Sequence, residues 1–176
     1  MLYLPKVSGD ERMANDLKSA LHFLWGVEAP SPYKRGPEAV EALQSRYRLV
    51  LPKAFAAYLR DAAPSADLMH DRRITWWAPR RIRSLRDECG SETPRGQFNH
   101  EIEEEANFYL VFADYLDWCY AYAICCSDGP NRGRIALIGA QPDRFVASSF
   151  PTFVRLAAVD SDRLHSPAGD HLTDLA

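Results

Sequence analysis

Histidine, cysteine and carboxylate are the side chains through which this chain could do acid–base, nucleophilic or metal chemistry. Their spacing supplies none of the familiar arrangements. The histidines His22, His70, His100, His165 and His171 are scattered. The cysteines Cys89, Cys119, Cys125 and Cys126 contain no C-x-x-C pair, so the spacing of a zinc site is missing. They read as buried free thiols, because free cysteine behaves as a small hydrophobe. No Gly-rich phosphate loop, G-x-S-x-G or H-E-x-x-H occurs. His100 stands near Glu101 and Glu103, but neighbours along one polar loop rarely converge into a site. The sequence therefore predicts a protein that is not an enzyme and holds no cofactor and no metal.

Charge is the second possible source of function. The net charge is −3, and it is unevenly spread. Arg72, Arg73, Arg80, Arg81, Arg83 and Arg86 fall in one segment. From Glu101 through Asn131 there is no Lys or Arg, while Glu101, Glu103, Glu104, Glu105, Asp114, Asp117 and Asp128 are acidic. Such asymmetry can steer a charged partner. A solvated face is the plainer reading. Arginines interleaved with Trp76 and Trp77 are the residue types of single-strand nucleic-acid binding. The basic stretch is short and the total charge negative, which weighs against nucleic acid as a partner.

The elements that must position these groups are legible from periodicity. At 176 residues the chain fits one domain with a real core. It has no apolar run near the roughly 18 residues of a membrane span. The start, MLYLPKVSGDERM, lacks a positive region followed by a long apolar segment, so a cytoplasmic protein is expected. The stretch from Phe108 to Cys126 is central. Aromatic and β-branched residues alternate at period two from Phe108 to Ala113, and a second run goes from Trp118 to Cys126. Two strands joined by a short acidic connection predict an antiparallel hairpin, with Asp114 and Asp117 at its turn. In the second strand Tyr120, Tyr122 and Ile124 share one face and Ala121, Ala123 and Cys125 the other, so something should pack closely over the small face.

Before the hairpin, Met13, Leu17, Leu21 and Leu24 recur at helical spacing, with Ser8 or Asp10 as cap and Gly26 as stop. Pro37 fits the first turn of a second helix with Val40, Leu43 and Tyr47 inward. Pro52 ends that region and starts a third helix, whose apolar face is Phe55, Tyr58, Leu59 and Ala62. Arg73 to Ala78 reads as a strand that sends Trp76 and Trp77 to opposite sides. Pro79 to about Cys89 reads as a basic helix, and Gly90 to Asn99 as a loop. After the hairpin come strands over 134–138 and 144–148. A final helix follows, capped by Ser148 or Ser149, with Pro151 in its first turn and Phe150, Phe153 and Val154 inward. The fold class predicted is α+β. It is a single domain of N-terminal helices, then a mostly antiparallel sheet with helices packed on one side, then a closing C-terminal helix. Residues 1–36 are expected to form a helical extension packed on the domain, 37–165 the domain itself, and 166–176 a flexible tail.

Three segments carry a resemblance. Leu51-Pro52 with Phe55 and Tyr58-Leu59 resembles the LP-x-x-[YF]-x-x-[YF]-L helix of the SUKH superfamily, the group of fungal cell-wall assembly regulators and many bacterial immunity proteins. Val111-Phe112-Ala113-Asp114 followed by Trp118 to Ile124 resembles its central strand pair. Arg144 to Phe153 (RFVASSFPTF) resembles its closing strand and helix. Order and spacing agree from about Pro37 to Asp160. The chain departs from the pattern in having Asp61-Ala62-Ala63-Pro64 where Asn-Gly is common, and no Gly after Asp114.

The resemblance implies binding rather than catalysis. It implies an immunity protein that neutralises a cognate toxin, such as a nuclease, in the cytoplasm. An acidic surface would suit such a basic partner. Glu103, Glu104, Glu105, Asp114 and Asp117 are the expected carboxylates. Tyr115, Trp118, Trp76 and Trp77 are the candidate aromatic anchors. The alternative is a regulatory or scaffold protein of the same fold without a toxin partner.

Overall fold

The structure is a computed structural model, and it describes residues 17, 19–21, 36–69, 73–90, 98–140 and 143–165. The expected first helix is described only at residues 17 and 19–21. These are helical, and their Leu17 and Leu21 join the core. Its cap, its expected end at Gly26, and residues 166–176 lie outside the described residues, as does Arg72.

Two helices follow. Helix α1 (Gly36–Tyr47) has Pro37 in its first turn and buries Leu43. Pro52 fills the N-cap position of α2 (Lys53–Asp61), which buries Phe55, Tyr58 and Leu59 on one stripe. The chain then enters a seven-stranded sheet of β1 (Leu68–Met69), β2 (Ile74–Trp76), β3 (Arg83–Ser84), β4 (Tyr109–Tyr115), β5 (Tyr120–Cys125), β6 (Ile135–Ile138) and β7 (Arg144–Ala147). The strand order is β1-β2-β4-β5-β6-β7, and every pair is antiparallel. Strands β2 and β3 share one edge of β4. The first pairs the Ala113–Tyr115 end, the second Leu110 and Val111. A bulge at Phe112 shifts the β4–β5 register. The α+β class read from the sequence is the class observed.

Pairing of Ala113 with Tyr122 and of Leu110 with Ile124 puts the large side chains of β5 on one face. There Trp76 and Phe112 meet Phe55 and Tyr58 of α2 and Phe150 and Phe153 of α5 (Phe150–Ala158). Ring centroids lie 5.2 Å apart for Phe112–Phe153, 5.6 Å for Trp76–Phe153 and 5.1 Å for Phe55–Phe150. Edge-on and tilted ring pairs of this kind add stability beyond area burial. The opposite face carries Ala121, Ala123 and Ala136. Its small side chains leave room for the chain between β3 and β4. Helix α3 (Leu85–Cys89) buries Leu85, helix α4 (His100–Glu103) buries Ile102, and a 3₁₀ turn over Ala106–Phe108 buries Ala106.

Three expectations need correction. The basic helix does not begin at Pro79. Residues 79–81 are a turn, Arg83–Ser84 form β3, and only Leu85–Cys89 are helical. The Ser84 hydroxyl accepts from the Asp87 N–H at 3.1 Å, a cap that starts the helix late. Asp114 is not in the turn but in β4, and the connection is Leu116–Cys119. The thiols are not all buried. Cys125 and Cys126 are, Cys89 is half-buried, and Cys119 is exposed beside the turn. Burial pushes the Cys126 and Cys89 thiols above their ordinary range, so neither is a poised nucleophile.

The final helix follows the sequence closely. Ser149 accepts from the Thr152 N–H at 3.3 Å and Pro151 sits in the first turn. Ser149→Ala is expected to lower the unfolding free energy by about 1 kcal/mol, and Ser149→Asp to retain most of it. Urea titration of the three chains checks this.

Candidate protein-binding surface

The residues proposed as partner contacts separate into three places. Trp76 and Trp77 are both fully buried, so neither is an exposed anchor. Trp76 belongs to the aromatic core described above. Trp77 lies on the small-residue side, and its indole N–H donates to Asp114 Oδ2 at 2.5 Å. Asp114 is also interior, with 1 % of its surface exposed. A carboxylate survives there because its partners offset the lost hydration. Besides Trp77, it accepts from the Trp118 backbone N–H at 3.3 Å and faces Arg81 Nη2 at 3.5 Å. Arg81 lies over the Trp77 ring at 4.0 Å and bonds Asp67 at 2.8 Å. Asp67 in turn accepts from the Ala78 N–H at 2.8 Å. Asp114, Trp76 and Trp77 are therefore structural, and no partner reaches them directly.

This network fixes the second place, the β4–β5 tip. Leu116, Asp117 and Trp118 have φ of 47°, 49° and 71°, left-handed values that cost roughly 1 kcal/mol each for residues other than glycine. Glycine is absent here, so other bonds must hold the turn. Leu116 N–H donates to Arg73 O at 3.1 Å and Cys119 N–H to Tyr115 O at 3.0 Å. The Trp118 indole donates to Glu88 Oε1 at 3.1 Å, while Glu88 also pairs with Arg83 at 3.2 Å. Tyr115 is half-buried and stacks on Tyr120 at 4.7 Å. Asp117 is exposed, and Trp118 is partly so.

The third place holds Glu103, Glu104 and Glu105. They precede Tyr109, whereas Asp117 follows Tyr115. Seven residues of β4 lie between them, about 20 Å at 3.3 Å per residue. The expected single acidic surface is thus two surfaces at opposite ends of a strand. What the fold does bring to the glutamates is Asp128. Glu105 packs over Gly129, where an added Cβ would come within 3.2 Å of Glu105 Oε1. Glu101, Glu104 and Asp128 are exposed, while Glu103 and Glu105 are half-buried.

Two apolar side chains border this acidic end, and neither stands out in the sequence. Phe108 is 40 % exposed and Val50 63 %. Phe108 O accepts from the Cys126 N–H at 2.8 Å, just before Asp128. Arg132 ties Val50 to the same turn. Its guanidinium donates to Val50 O at 2.8 Å, to Cys126 O at 3.0 Å and to Asp128 at 3.0 Å. Phe108 reads from sequence as the first residue of an alternating strand. Only the 3₁₀ turn before β4 rotates it outward. An apolar centre within a charged rim is the usual anatomy of a protein-binding patch.

His100 is exposed and pairs with Glu104 at 3.4 Å. His165 hydrogen-bonds Tyr120 and Asp160 at 3.0 and 3.2 Å, and with Tyr122, which donates to Leu164 O at 2.8 Å, it clamps the C-terminal 3₁₀ turn to β5. Among the described residues no group of three or more His, Cys, Asp and Glu side chains is placed to hold a metal ion. Among them no helix is long and apolar enough to cross a membrane. We find no protein-family model that matches the chain and no curated protein that matches it.

Proposed function

We propose that this chain is a non-catalytic binding protein of the immunity type, which neutralises a cognate basic toxin, such as a nuclease, by direct contact in the cytoplasm. The observation that carries the reading is the acidic end of the sheet. The exposed aromatic ring of Phe108 sits in the 3₁₀ turn that enters β4, in the segment that carries Glu101, Glu104 and Glu105 and is hydrogen-bonded to the Cys126 end of the turn that holds Asp128. Carboxylates there attract a basic protein over long range and compete for the groups that would hold phosphate. The resemblance to the SUKH superfamily gives the same reading, and the segments that carry it meet in one core through Phe55, Tyr58, Phe112, Phe150 and Phe153.

The chain, used as bait on lysate and secreted fraction of its source, is expected to retain a basic protein whose toxicity it suppresses. Glu104→Lys with Asp128→Lys is expected to weaken that binding at least about tenfold, chiefly through a slower on-rate. Recovery of housekeeping proteins alone would favour a scaffold of the same fold instead.

A further inference from the structure

A cleft of about 290 Å³ opens between α1 and the turn after β2. Ala42, Leu43 and Ile82 line its apolar part, Arg46 and Arg80 bring guanidinium groups to it, and Glu38 is its carboxylate. Arg46 is partly engaged by Asp87 at 3.3 Å. Arg80 is exposed and has no carboxylate partner among the described residues.

The β4–β5 tip carries the complementary chemistry. Leu116 is 38 % exposed, and beside it Asp117 is exposed without a cationic partner among the described residues. Left-handed backbone at both positions is held by the Arg73, Asp114 and Glu88 contacts, so the tip is presented in one shape and needs little ordering to bind. Cleft and tip are linked by side chains at the surface: Arg46 of the cleft pairs with Asp87 at 3.3 Å, and the next residue, Glu88, accepts from the Trp118 indole of the tip at 3.1 Å. A patch that contains both an apolar–acidic projection and an apolar–basic recess can pair with itself about a two-fold axis, each element meeting its counterpart.

We propose that the chain forms a symmetric dimer in which Leu116 and Asp117 of each copy enter the other copy's cleft between Arg46 and Arg80. The buried apolar surface is small, so the association is weak and of micromolar order. The acidic end around Phe108 stays outside it. The dimer and the toxin-binding reading therefore stand or fall separately.

Sedimentation of the full chain from about 1 to 100 µM reads the association. The average mass is expected to rise from one copy toward two. Asp117→Arg and Arg80→Asp, both at exposed positions, are each expected to raise the dissociation constant at least about tenfold. The double variant carrying both changes restores the opposite charges across the axis and is expected to return the dissociation constant to near its original value. Leu116→Gly relieves left-handed strain, so its melting temperature is expected not to fall while its dimer weakens. A chain that stays monomeric across the range overturns the proposal. So does a dimer indifferent to both single charge changes, or a double variant no better than the singles. An acidic–apolar peptide that binds the cleft of a monomeric chain would assign the cleft to another protein.

Discussion

Trp76→Ala is expected to destabilise the fold by about 3–5 kcal/mol, the range for a fully buried aromatic truncated in a close-packed core. Its ring sits among Tyr58, Phe112, Phe150 and Phe153, with centroids at 6.0, 6.2, 6.4 and 5.6 Å. These neighbours come from α2, β4 and α5, so relaxation of any one of them cannot close the cavity. Domains of this size have about 5–15 kcal/mol in total, and the variant is expected to be close to unfolding at 37 °C. Denaturant titration read by far-UV circular dichroism gives the number. A loss under about 1 kcal/mol would mean that the site collapses easily and that the three segments are less tightly joined than their packing indicates.

Asp114→Ala is the second large effect, at about 3 kcal/mol. The substitution strands the buried Trp77 indole N–H and removes the acceptor of the Trp118 N–H. Arg81 suffers less, because it keeps Asp67 and is one-third exposed. Asp114→Asn retains acceptor capacity on one oxygen and is expected to cost less than the alanine change. The tip should respond first. Its left-handed residues have no glycine to support them, and near-UV signals from Trp77 and Trp118 are expected to weaken in the alanine variant before the far-UV signal does. If Asp114→Ala costs no more than the roughly 0.5 kcal/mol of a surface change, the network does not hold the turn.

What the sequence made legible follows from local physics. Pro52 before Phe55, Ser149 before Pro151, and the alternation from Phe108 to Cys126 each encode an element through one short-range rule, and each element formed. The alternation of large and small residues in β5 also announced a crowded face and a close-packed one. Two-residue strands carry no period, so β1 and β3 gave no signal. The late start of α3 depends on Ser84, one capping residue in a segment whose proline pointed earlier.

The site was less legible than the fold. An acidic residue in a polar connection reads as exposed. Asp114 is buried because Trp77 and Arg81 arrive from the segment that follows β2, far away in sequence. Linear density of carboxylates suggested one surface from Glu103 to Asp117, but β4 runs between them and carries the two groups apart. Conversely, Asp128 and Val50 join the glutamate end only through the Arg132 and Gly129 turn. The arginine-rich segment read as a basic helix, whereas Arg81 lies in a turn and Arg83 in a strand, where they pair with Asp67, Asp114 and Glu88.

The central claim is that this chain binds and silences a basic toxic protein through the acidic end at Phe108. The most direct measurement is growth of cells that express the retained toxic protein together with this chain. Paired cultures would carry the unaltered chain, Phe108→Ala with Glu104→Lys, or the distant Val159→Ser as control. The account predicts full protection by the first and third chains and loss of protection by the second, with all three equally folded. Protection that survives the double change would contradict it, and protection by none would remove the immunity reading altogether.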